Sequence, residues 1–396
     1  MAKRAASGMG SIRKKSKTVN GKVYTWFEAR YTAGYDPGTG KQIQRSVSGK
    51  TQKEVAKKLK EATAAIDAGT YIAPNKMTVA EWLDIWAKEY LGNVKPRTAE
   101  SYRIIAKNHL KPKLGATRLD LLNAHTVQTF YNSLSEAAGN AKPLSAKTIK
   151  NIHGVLHKAL QQAMKNKYIN SNPAEACELP RVEKAEIKPL DETQISDFLK
   201  AIKGHPYEAL FTVDLFTGMR KGEILGLQWE CVDLKNGTIL INKQLQNIVG
   251  SKGMYHLVST KNGKGRKITI PPFLVTELRK VKKKQLENRL RYGECYDVES
   301  TFVFTDDLGG HLKPKQVYDA FKKVTAGMDL PNARFHDLRH SYAVASIRSG
   351  DDIKTVQENL GHATAAFTLD IYGHVTDQMK RESANRMEQF FKTVSK

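Results

Sequence analysis

Four short stretches of this chain carry residue types that could do chemistry together. The first, residues 217–229, holds Arg220 and Glu223 three positions apart. The second, residues 260–271, holds Lys261 and Lys264 in a glycine-rich turn. The third is His336-Asp-Leu-Arg339, followed directly by His340. The fourth is Leu360-Gly-His362, with Tyr372 ten residues further on. Breaking a phosphodiester without a metal calls for such a set. Two arginines can bind the nonbridging oxygens bidentately and stay charged at any relevant pH. A tyrosine can attack phosphorus and become covalently attached. A lysine or histidine can protonate the departing 5′-oxygen. No paired carboxylates or Asp-x-Asp cluster accompany these stretches, which weighs against a magnesium-dependent nuclease.

The elements that must position these groups are legible in outline. In residues 190–396 the pattern predicts a mixed domain. Asp191 caps a helix, and a second helix runs through Tyr207 to Phe216. A turn at Lys235-Asn-Gly237 precedes a strand over Thr238–Asn242, and a second strand covers Arg266–Ile270. The remainder reads as mostly helical, ending in a helix over Asp377–Val394 with Met379, Ala384, Met387, Phe390 and Phe391 on one side. On the helix of the third stretch, His340 is expected to face away from His336 in a structural role.

Residues 77–180 read as a helical block. Thr78 and Glu81 form a capping box ahead of Val79, Trp82, Leu83 and Trp86. A second helix is expected to start at Thr98 and stop at Pro112, and a third to span Thr126 to Leu134. Ser145 caps a long fourth, with apolar positions in register from Ile149 to Met164. Upstream, residues 1–20 read as a flexible basic tail. Residues 20–70 read as a hairpin or three-stranded sheet followed by one helix with a Thr51/Glu54 cap.

Composition narrows the class. The chain has 396 residues and a net charge of +24, which suggests a polyanionic partner. Residues 1–60 alone carry 15 basic and 3 acidic residues, half of that excess. No apolar run is long enough for a membrane helix, and no signal-like N-terminus is evident. Three scattered cysteines, Cys177, Cys231 and Cys295, supply neither a disulfide scaffold nor a zinc pattern. The expectation is a cytoplasmic protein of two or three domains.

In this order and spacing the four stretches resemble the Arg–Lys–His-x-x-Arg–His–Tyr signature of tyrosine site-specific recombinases, the phage integrase family. The likeness covers residues 190–375 and is nearest to integrases of conjugative transposons and temperate phages of Gram-positive bacteria. It implies a multidomain fold, mainly α with small β elements. That means a basic arm-type DNA-binding sheet-plus-helix domain (1–70), a helical core-site domain (77–180) and a mixed α+β catalytic domain (190–396) with a helical tail. It also implies roles. Arg220 and Arg339 would clamp the phosphate, supported by Glu223. Lys261 would be the general acid, with Lys264 an open alternative. His336 would take part in proton transfer, His362 would hydrogen-bond the phosphate, and Tyr372 would be the nucleophile. The implied partners are double-stranded DNA at core and arm sites, three further copies of the chain, an excision factor and a host DNA-bending protein. No cofactor, metal or membrane is implied. The plainer readings make Arg220 and Glu223 a helix-surface pair, Lys261 a DNA-contacting lysine, and His336 and Tyr372 packing residues. Rival functions are a Xer-type resolvase, disfavoured on N-terminal length, a type IB topoisomerase, a DNA-binding regulator, and a membrane-surface protein.

Overall fold

The computed structural model describes residues 11–35, 38–68, 71, 76–136, 142–183, 188–247, 250, 254–260, 263, 265–362, 364, 369 and 377–395. The chain divides into two compact units, residues 1–183 and 184–396.

In the first unit, β1 (Ile12–Val19), β2 (Lys22–Tyr35) and β3 (Gln42–Gly49) form an antiparallel sheet in that order. The flexible tail expected over residues 1–20 is therefore corrected for residues 12–19, which are a strand, while residues 1–10 lie outside the described residues. The cause is Asn20-Gly21, which takes φ of 51° and 76° and turns Val19 directly onto Lys22. That is the left-handed two-residue hairpin turn Asn-Gly favours. Helix α1 (Gln52–Asp67) covers one face of the sheet, where Ala29, Tyr31, Val55 and Leu59 are buried. The register leaves Arg13, Lys15 and Lys17 of β1 and Arg30 of β2 on the other face.

A second apolar core in this unit is built from helices α2 (Val79–Glu89), α3 (Pro96–Ile105), α4 (Lys111–Leu114), α5 (Ala124–Ser135) and α6 (Ala146–Lys165). The Thr78/Glu81 capping box forms as read. Trp82 is fully buried and donates its indole N–H to Ala159 O at 2.9 Å, tying α2 to α6. The expected stop at Pro112 does not occur. A π-helical turn, Ala106–Leu110, passes the chain into α4, and Pro112 sits in the first turn of that helix. Proline has no N–H to donate and its ring crowds the carbonyl four residues back, and the wider π-helical turn just before it accommodates both.

The second unit starts with α7 (Glu192–Ala201), α8 (Glu208–Thr217) and α9 (Lys221–Leu225). Strands β4 (Val232–Asp233), β5 (Thr238–Ile241) and β8 (Arg266–Thr269) make one sheet, and β6 (Lys243–Asn247) pairs with β7 (Tyr255–Ser259) in a hairpin. Helices α10 (Pro272–Tyr292), α11 (Pro314–Ala326), α12 (Phe335–Arg348) and α13 (Ile353–Leu360) follow. The core includes residues of α7, α8, α11, α12 and the sheet, with Phe198, Phe211, Phe321 and Phe335 linked by ring contacts. The tail helix α14 (Asp377–Val394) leaves Met387, Phe390, Phe391 and Val394 exposed. Among the described residues no helix is long and apolar enough to cross a membrane.

Candidate active site

Helix α8 ends because Gly218 adopts the left-handed conformation, φ 60°. A side chain there would strain the backbone and lie 2.4 Å from the Tyr342 ring. This sharp exit aims Arg220 into the site as the residue just before α9. Arg220 donates to Glu223 Oε1 at 2.7 Å, and its backbone N–H donates to Glu223 Oε2 at 2.9 Å. The surface-pair reading of these two residues fails on burial, since Glu223 is 1% exposed.

Arg339 comes from α12 and is also 1% exposed. It donates to Gly218 O at 2.7 Å and to Leu360 O at 2.6 Å. Arg220 reaches Gly361 O at 3.4 Å. A third arginine, Arg266 at the start of β8, donates to Asn359 O at 2.7 Å. Three guanidinium groups thus meet the end of α13, where the last carbonyls of a helix have no intrahelical donor and carry the negative end of its dipole. Arg266 also grips Glu223 with both terminal nitrogens, at 3.1 and 2.6 Å.

Glu223 is therefore the hub of the cationic cluster. Burial by itself would raise its pKa. The hydrogen bonds and charge of Arg266, then of Arg220, override this and hold it at about 2. A carboxylate depressed from 4.5 stabilises the fold above the unfolded value, and that stability is lost as pH falls toward 2. The effect is worth on the order of 3 kcal/mol at neutral pH. In acid unfolding followed by circular dichroism, Glu223→Gln is expected to flatten the loss of stability between pH 4.5 and pH 2. It should also lower neutral-pH stability by about 3–5 kcal/mol, because it unpairs buried arginines. An unchanged acid limb would show that Glu223 carries no such charge linkage.

The histidines sit against these arginines. Partial desolvation, then the charges of His340, Arg339 and Arg220, push His336 down to about 4, although its outer side is open to solvent. Burial, then Arg339 and Arg220, push His362 down to about 3. Both rings are neutral at neutral pH. His340 does not face away, which corrects that expectation. Its ring is 4.8 Å from the His336 ring and it is buried. Four residues on an α-helix bring side chains back to the same face.

Of the residues singled out from the sequence, Arg220, Glu223, His336, Arg339 and His362 gather here. Lys261, Lys264 and Tyr372 lie outside the described residues. Two groups escaped the sequence reading. Arg266 shares its strand face with buried Ile268 and Ile270, so its inward register was available as a signal. Asp214 of α8 is fully buried with neither carboxylate oxygen hydrogen-bonded. Burial raises its pKa well above the usual range against the pull of Arg339. Among the described residues no cluster of His, Cys, Asp and Glu could hold a metal.

Residues 188–379 match the phage integrase family, and residues 78–135 match the N-terminal SAM-like domain of phage integrases. The chain belongs to the phage integrase family. Within it the chain is a tyrosine recombinase, a DNA strand-transferring enzyme of site-specific recombination. A tyrosine recombinase XerC-like protein of Caldanaerobacter subterraneus subsp. tengcongensis is 28% identical over 96% of this chain and 99% of its own. An integrase of Streptomyces ambofaciens is 28% identical over 99% of both. The ICEBs1 integrase of Bacillus subtilis is 23% identical over 91% of this chain and 96% of its own. Because a XerC-like relative matches along its whole length, N-terminal length does not separate this chain from proteins of that name. In fold, the Tn1549 transposon integrase bound to a circular intermediate DNA is similar, with a TM-score of 0.66 and 22% identity over 78% of this chain and 99% of that one. A lambda integrase tetramer bound to a Holliday junction has a TM-score of 0.56 and 17% identity, over 88% of this chain and 94% of that one.

Proposed function

We propose that this enzyme integrates and excises a mobile element through a 3′-phosphotyrosine intermediate and a Holliday junction. The observation that carries the reading is the convergence of Arg220 and Arg339 at the end of α13, with His362 just beyond it and His336 beside both arginines, in a chain of this family. In this reading the two arginines cradle the nonbridging oxygens of the scissile phosphate. Their charge is permanent and already aimed, so little reorganisation accompanies the transition state. The oxygen of Tyr372 forms a bond to phosphorus as the bond to the 5′-oxygen breaks. Neutral His336 accepts the phenolic proton. The hairpin lysine, Lys261 or Lys264, gives a proton to the leaving 5′-oxygen. His362, also neutral, donates its N–H to a phosphate oxygen. An arriving phosphate offsets the surrounding positive charge, which raises the proton affinity of both rings when it is needed. Bond energy is held in the phosphotyrosine, so the cycle uses neither ATP nor a cofactor.

The rest of the chain fits this task as three modules. Residues 1–70 bind arm sites through the basic sheet face that carries Arg13, Lys15, Lys17 and Arg30. Residues 77–180 and 190–396 clamp the core site. Two footholds on one DNA raise avidity and let an excision factor and a host DNA-bending protein choose direction. Four copies assemble on two duplexes, with the exposed apolar side of α14 covered by a neighbour.

The test is covalent trapping. The protein is incubated in EDTA with labelled duplexes from the ends of mobile elements, each nicked beside the candidate cleavage point so that the released 5′-end diffuses away. A protein–DNA adduct on a denaturing gel is expected, with peptide mapping placing the DNA on Tyr372. Tight binding without any adduct would favour the regulator reading instead.

A further inference from the structure

We infer that Arg266 is a positioning residue that fixes the C-terminal end of the segment carrying Lys261 and Lys264 to the arginine cluster, through its fork on Glu223 and its bond to the end of α13. The inference rests on the reading of that segment as the source of the general acid.

Geometry favours holding over binding. Three of the N–H groups of Arg266 are already committed within the protein, two of them to one carboxylate. Both nitrogens of its fork lie on the two oxygens of Glu223, while Nε donates to Asn359 O. Its stem passes so close to Gly361 that a β-carbon there would lie 2.9 Å from Arg266 Cδ. Gly361 is left-handed, φ 64°, and its carbonyl is the one Arg220 reaches. One guanidinium thus joins α9, the end of α13 and the first residue of β8.

Its place in the chain gives that joint a purpose. Residues 261–264 leave from Thr260 and return at Gly265, immediately before Arg266. Both ends lie against Asn242, since Thr260 N–H donates to its carbonyl at 3.3 Å and a β-carbon on Gly265 would lie 3.3 Å from its Cβ. Asn242 and Arg266 therefore fix the two ends of this segment relative to the arginine cluster. A lysine at position 266 could keep the charge, but it cannot make the planar fork that fixes direction.

A leaving-group substitution tests this. Sulfur in place of the bridging 5′-oxygen leaves as a thiolate without needing a proton. The nicked duplex of the trapping assay is compared with its bridging-sulfur counterpart for wild type, Arg266→Lys, Arg266→Gln, Lys261→Ala and Lys264→Ala. Arg266→Lys is expected to slow cleavage of the oxygen substrate about 10²-fold, the size of effect a misplaced catalytic group produces. On the sulfur substrate it should return to within a few-fold of wild type. The ratio of the two rates is insensitive to the fraction of protein folded, so partial instability of either Arg266 variant does not obscure it. Equal slowing on both substrates, or no slowing on either, would overturn the role given to Arg266. If neither lysine variant is rescued by sulfur, the general-acid reading itself fails, and that outcome is distinct. Rescue of a lysine variant without rescue at Arg266 removes the positioning proposal alone.

Discussion

Tyr372→Phe is expected to form no covalent adduct with any duplex that traps the wild type, while binding that duplex with unchanged affinity. Phenylalanine keeps the ring and removes only the attacking oxygen. No bond to phosphorus can then form, whatever the state of the clamp. Removing a nucleophile that acts as one unit with its partners costs on the order of 10⁴–10⁶ in rate. Affinity comes instead from the basic surface, and the charge of +24 is untouched by the change. Binding should weaken steeply with salt for both proteins, in parallel. The measurement pairs a denaturing gel with a binding titration on the same labelled DNA. An adduct that survives Tyr372→Phe would move the nucleophile elsewhere in the chain.

Arg339→Ala should damage both chemistry and fold, unlike Tyr372→Phe. Arg339 is buried, and its hydrogen bonds tie α12 to the ends of α8 and α13 through Gly218 O and Leu360 O. Loss of the guanidinium strands those carbonyls without their donor, at about 1–3 kcal/mol for each group left unsatisfied. It also leaves a void behind the site. Removing one preorganised donor from a developing oxyanion costs about 10²–10³ in rate. Adduct formation should therefore fall by at least that factor, and the unfolding midpoint of the protein should drop. The neighbouring Asp214 adds a second signature. Arg339 is the positive charge pulling against the burial of that carboxyl. Without Arg339, Asp214 has still less reason to ionise. A variant that cleaves normally, or whose stability is unchanged, would contradict the double role of Arg339.

The conflict between propensity and context shows where sequence reading stops. Pro112 looks like a stop signal, yet it enters the first turn of α4 because a π-helical turn delivers the chain there. The basic stretch over residues 12–19 has few apolar residues and reads as tail. Pairing with β2 makes it a strand, and the Asn20-Gly21 turn that permits the pairing is a local signal that could have been weighed. His340 needed only the helical repeat to be placed beside His336.

Residue type, spacing and local signals were enough to single out the groups proposed to react. The arginines, histidines, Glu223 and Tyr372 stand in an order that only a few chemistries use. Capping at Thr78, Asp191 and Ser145 set the starts of helices. Tertiary structure alone decided which charges meet. Arg266 lies 43 residues from Glu223 and 93 from Asn359, and Arg339 lies 121 from Gly218. No local pattern encodes such pairings. They arise because a buried guanidinium must find acceptors wherever the packed chain offers them, and here the unpaired carbonyls at the end of α13 are the acceptors within reach.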